Sequence, residues 1–174
     1  MSKAAATDAR YSAMGDVLEE VLAAARRQGL RVRTAPNARQ QFDRALRTFT
    51  GGVDAQWWWE HLQPEAVFRH FDQDDGFRYL HKIVPDPDRL VLFVVEDDEE
   101  PFFPVLEASP RTAQSIVAES FAFEYYLVDS EFRWMVGENH HSSLFAIGSP
   151  AADRLRELKA AGPRDRRHPP SRFS

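Results

Sequence analysis

Cysteine is absent from all 174 residues, which excludes disulfides, thiolate metal sites and cysteine nucleophiles. Long apolar runs are absent too. The longest, Leu90 to Val95, has six residues, against about 20 for a membrane-spanning helix. The first eight residues hold no apolar stretch of the secretory kind. These absences together lead us to expect a cytoplasmic protein with no membrane partner. Glycine is sparse, at 8 residues, and the single Gly51-Gly52 pair is too little to cradle a phosphate. The chain contains no G-x-S-x-G, P-loop, G-x-G-x-x-G or H-E-x-x-H pattern.

What is present is ordinary for a folded protein. Hydrophobic residues make up 43% and charged residues 28%. With 13 Phe and 4 Trp, large aromatic side chains are expected to dominate the core. The length suits one domain, placed at residues 1–162, which needs no metal or cofactor to fold. Residues 163–174 read as a basic, Pro-rich tail with little to bury. The net charge of −5 is unevenly spread. Residues 1–53 carry 9 basic and 5 acidic side chains, residues 54–138 carry 6 and 19, and residues 139–174 carry 7 and 3. The acidic middle would repel phosphates, which argues against nucleic acid there and allows a basic protein partner.

Hydrophobic spacing predicts the elements. Met14, Val17, Leu18, Val21, Leu22 and Ala25 share one face of a helix over 8–28, with Asp8 as its N-cap. Residues 30–34 suit a short strand. Phe42, Ala45, Leu46 and Phe49 mark a second helix over 37–49. Trp57-Trp58-Trp59 reads as a short strand, residues 72–76 as a turn, and 77–84 as irregular or a short strand. Residues 89–96 form the strongest strand signal. Their unbroken apolar run predicts burial on both faces at the centre of a sheet. Another strand is expected from residue 102. Ser109-Pro110 opens a helix whose face is Ala113, Ile116, Val117 and Phe121. Strands at 123–129, 132–138 and 144–147 suggest an antiparallel meander, followed by a helix over 151–160. The order points to an α+β fold, mainly an antiparallel sheet with helices packed on one face.

Three groups of residues attract attention. Glu138-Asn139-His140-His141 pairs imidazoles with a carboxylate, the raw material of acid–base or metal chemistry. On a strand, His140 and His141 would point to opposite faces, and Glu138 with His140 gives too few ligands for zinc. A third ligand such as His61, His70 or His81 would have to come from elsewhere, so we assign neither metal nor catalytic role and expect a structural turn. Trp57, Trp58 and Trp59 could form a contact surface, although packing in the core is the simpler expectation. Asp97, Asp98, Glu99 and Glu100 could meet a basic protein, or merely keep the preceding strand soluble.

The stretch Phe123-Glu124-Tyr125-Tyr126-Leu127-Val128-Asp129, then Phe132-Arg133-Trp134, Glu138-Asn139-His140-His141 and Ile147-Gly148, resembles the core of a family of small bacterial proteins of unknown function. The resemblance covers about residues 89–148. Some proteins of that kind resemble immunity proteins encoded beside secreted toxins. The resemblance implies no activity of its own and carries no catalytic role onto any residue. The leading expectation is therefore a non-enzymatic binding protein, concretely an immunity protein that meets a basic toxin with its acidic surface. The alternatives are a hydrolase or metal-dependent enzyme using Glu138, His140 or His141, and a regulatory or structural interaction protein.

Overall fold

The computed structural model describes residues 16–71, 76–100 and 102–159. Along these residues run α1 (Asp16–Arg27), β1 (Arg33–Thr34), α2 (Ala38–Phe49), β2 (Val67–His70), α3 (Leu80–Ile83), β3 (Val91–Val95) and β4 (Val105–Ala108). They continue with α4 (Pro110–Glu119), β5 (Tyr125–Val128), β6 (Met135–Asn139), β7 (Ser143–Ile147) and α5 (Ala151–Glu157). Short 3₁₀ turns occupy Trp58–His61 and Gly76–Tyr79. The expected N-cap at Asp8, most of the turn at 72–76, and the Pro-rich tail lie outside the described residues. Among those described, no helix is long and apolar enough to cross a membrane.

All seven strands join one antiparallel sheet in the order β1-β4-β3-β5-β6-β7-β2. The α+β class and the β5-β6-β7 meander are as the sequence pattern predicts. β3 pairs with both β4 and β5, and all five of its residues are buried. Alternation along each strand divides its side chains between two core layers. Val91, Phe93 and Val95 join Tyr125, Leu127 and Val136 on one face, beneath α1, α3, α4 and α5. Leu92 and Val94 join Tyr126, Val128 and Met135 on the other, beneath Phe42, Ala45, Leu46 and Phe49 of α2. Four helices thus share one face as expected, while α2 and the tryptophan turn cover the second. The unbroken apolar run of β3 requires such a second cover.

Three local expectations need correction. Trp57–Trp59 is not a strand: the chain turns at Trp58–His61. The turn buries the Trp58 ring against Phe42, Phe103 and Tyr126, at centroid distances of 5.2, 5.5 and 4.7 Å, while Trp59 packs half-buried against the edge of the same layer. Residues 77–84 are helical rather than extended, because Phe77, Leu80, Ile83 and Val84 bury at three- and four-residue spacing. Phe121 lies beyond the end of α4 and is exposed, so the buried helix face ends at Val117.

Leu92→Ala is expected to destabilise the protein by about 2–5 kcal/mol, as for a fully packed leucine. Denaturant unfolding checks this, and an unchanged midpoint would contradict a central β3. Gly137→Ala should also destabilise, since a Cβ there collides with the Phe145 ring and the Tyr125 carbonyl.

Candidate functional site

Polar side chains collect where the three central strands end. Glu96 follows β3 and Glu124 precedes β5. The Glu96 backbone N–H donates to the Glu124 carbonyl at 3.0 Å, extending the ladder one step past Val95 and Tyr125. The two carboxyl groups therefore stand side by side on the face that carries Val94 and Tyr126, an arrangement that like charges disfavour. Glu96 Oε1 accepts from Gln56 Nε2 at 3.3 Å, whereas Glu96 Oε2 is buried and meets no donor. Burial, then the neighbouring Glu124 carboxylate, pushes the Glu96 carboxyl up to about 8. With its proton retained, Glu96 can donate to Glu124 and the repulsion disappears.

Glu124 is itself buried and well supplied with donors. It accepts from Trp59 Nε1 at 3.1 Å, from the His140 backbone N–H at 2.9 Å and from the His140 ring. The His140 Nδ1 contact is 2.5 Å. A carboxylate acceptor calls for a proton on Nδ1, which leaves Nε2 as the basic ring nitrogen of neutral His140. Aromatic rings enclose this pair. Trp57 stacks on Trp59 at 6.4 Å, and His140 lies 5.4 Å from Trp57 and 5.8 Å from Trp59.

The two histidines are not separated on a strand as expected. β6 stops at Asn139, and His140 and His141 belong to the turn into β7, with ring centroids 4.0 Å apart. Asn139 builds that turn: its Oδ1 accepts from the His141 and Ser143 backbone N–H groups, each at 3.1 Å. Glu138 does not join His140. It is buried on the opposite face, where the Tyr125 hydroxyl donates to it at 3.0 Å. Glu124 takes the place that sequence proximity suggests for Glu138. Of the other histidines, His70 bonds the His141 carbonyl through Nδ1 at 3.0 Å, and His81 pairs with Gln114 at 3.1 Å. Among the described residues, no group of three or more His, Asp or Glu is arranged to hold a metal.

The acidic run divides between two tasks. Asp97, only 4% exposed, accepts from the Leu18 N–H at 2.8 Å and the Glu99 N–H at 3.1 Å. It satisfies a donor in the first turn of α1 and places negative charge at the positive end of that helix. Its carboxylate is therefore not the partner contact expected. Asp98 and Glu100 are exposed and Glu99 is half-buried. Trp58, fully buried, is likewise corrected from contact residue to core residue, while Trp57 remains 37% exposed. Beside them Asp54, Gln56, Glu96, Asp98, Phe102 and Phe103 line a cleft of about 440 Å³.

A family model described as a family of unknown function (DUF6756) matches residues 36–159. The chain belongs to this family. No curated protein and no solved structure matches it. The DUF6756 span extends N-terminally beyond the motif stretch at 89–148 and takes in α2 and the tryptophan turn. Every residue of the polar cluster, from Gln56 to His141, lies inside it. α1, anchored by Asp97, precedes it. Glu96 and Gln56 lie outside the quoted motif, and Glu124 lies within it with nothing local to pair it with His140, because the site's residues come from distant segments.

Two predictions follow from these contacts. Asp97→Ala should cost about 0.5–2 kcal/mol, the range for losing a helix cap, measured by denaturant unfolding. For Glu96, the folded carboxyl holds its proton to about 8 from an ordinary value of 4.5. The unfolded chain therefore ionises first, and the Glu96 contribution to stability falls as pH rises from about 4.5 through about 8. Glu96→Gln abolishes that loss, so its stability relative to the parent protein should be greater at pH 9 than at pH 5. A difference that stays constant between these pH values would show that Glu96 ionises normally in the folded protein.

Proposed function

We propose that this protein is a small cytoplasmic binding protein for a basic protein partner. Its most concrete form is an immunity protein that occupies the phosphate-holding site of a nucleic-acid-cleaving toxin. The observation that carries the reading is the exposed cleft in which Asp54, Glu96 and Asp98 stand beside Phe102 and Phe103. Enzymes that hold phosphates present cationic sites, and an acidic surface is drawn to them and speeds encounter. Charge supplies rate and selectivity, and desolvated aromatic contacts supply affinity. The cell interior fits a chain without cysteine, although that composition is compatible with other compartments.

A second reading is acid–base catalysis. The 2.5 Å contact between Glu124 and His140 favours it, because a carboxylate on Nδ1 fixes the orientation of the ring.

To test the binding reading, a partner is captured from the source organism on the immobilised protein and its association rate is measured at low and high salt. Changing Asp98, Glu99 and Glu100 together to Lys should slow association about ten-fold at low salt and remove most of the salt dependence. The parent protein, co-expressed with the partner, should also relieve the partner's toxicity. An association rate that ignores both the charge reversal and the salt would reject electrostatic capture by this surface.

A further inference from the structure

The acidic cleft does not end at Phe102 and Phe103. These residues and Asp54 also line a larger cleft of about 760 Å³, whose walls include Phe42, Pro104 and Val105. We infer that the two clefts form one recognition groove for a partner segment. That segment places an arginine side chain at Asp54, Glu96 and Asp98, and an apolar side chain against Phe42, Phe103 and Val105. The inference rests on the proposed binding of a basic protein and specifies what that partner must present.

The groove has two chemically distinct ends. Its small end holds four carboxyl groups, those of Asp54, Glu96, Asp97 and Asp98, with Gln56 orienting Glu96. Its large end is walled mainly by hydrocarbon. The cation found there, Arg39, is already matched by Asp43 at 3.1 Å. Phe102 sits at the junction of the two ends and is 52% exposed, leaving an aromatic ring available to an incoming side chain. The charges fix the orientation of an occupant, since its cation is attracted toward Asp54 and Asp98. Arginine suits this end better than lysine. Its planar fork can reach more than one carboxylate, and its weakly hydrated face can lie on the Phe102 ring. The combined arrangement is that of a peptide groove, in which an apolar pocket supplies affinity and a charged pocket supplies register.

The probe is the blocked dipeptide acetyl-Phe-Arg-amide, titrated into the full chain and followed by NMR shifts of backbone amides and indole N–H groups. Saturable shifts are expected at residues 54–57, 96–98 and 102–105. Acetyl-Phe-citrulline-amide, which lacks the charge, and acetyl-Ala-Arg-amide, which lacks the ring, should each bind about five-fold more weakly. Asp98→Asn and Phe102→Ala alter exposed side chains, so each should keep the parent thermal midpoint while weakening the probe about three-fold or more. Equal binding of the citrulline compound, shifts mapping elsewhere, or no saturable shift would overturn the groove. This outcome is separable from the functional reading. Failure of the probe together with a charge-sensitive partner association removes the groove alone. Probe binding together with a charge-insensitive association keeps the groove and removes the electrostatic-capture reading.

Discussion

Burial of the central sheet on both faces governs where everything else can lie. β3 and β5 present no charged side chain between Val91 and Val95 or between Tyr125 and Val128, and every one of these residues is buried. A strand in that position needs apolar cover on two sides, which is why α2 and Trp58 close the face that the other four helices leave open. It also confines titratable groups to strand ends, where the ladder still aligns neighbouring strands but water becomes reachable. Glu96 and Glu124 are the first residues past that boundary. Their adjacency is a consequence of register, because the pairing that sets Val95 opposite Tyr125 necessarily sets Glu96 opposite Glu124.

Once that register exists, the surrounding residues resolve the conflict it creates. Two ionised carboxylates at this depth would repel, and the protein answers in two ways. Glu96 keeps its proton well above the usual carboxylate range, and Glu124 gathers donors from Trp59 and His140. The tryptophan turn and the β6–β7 turn are thereby tied to one buried acceptor, although they lie 65 and 16 residues away from it in the chain. Asn139 keeps the second turn in shape by satisfying two of its backbone donors.

The fold was more legible in the sequence than the site. The six-residue apolar run located β3, Ser109-Pro110 located the start of α4, and the short polar links located the meander. These are local signals with a local physical cause. Trp57–Trp59 misled because extended geometry is only one way to part three indoles, and burial of Trp58 under α2 favours a turn. The Glu138–His140 pairing misled for a related reason. It assumed that the strand continued through position 140, whereas it ends one residue earlier. The true partner, Glu124, arrives by pairing between strands, and such pairing becomes visible only when the register is known.

The same logic separates positions 97 and 98, which composition treats as equivalent acids. Asp97 follows Glu96 on a chain leaving the sheet and turns toward α1, where an unsatisfied helix N–H waits in its first turn. A buried carboxylate held by two backbone donors is costly to remove. Asp98, one residue on, keeps its charge in solvent at the mouth of the cleft. The acidic run thus anchors α1 with one carboxylate and leaves the next exposed at the cleft. That anchoring fixes the backbone from which Asp98 projects. A substitution at Asp97 therefore removes a buried anchor of α1, whereas one at Asp98 removes an exposed charge at the cleft.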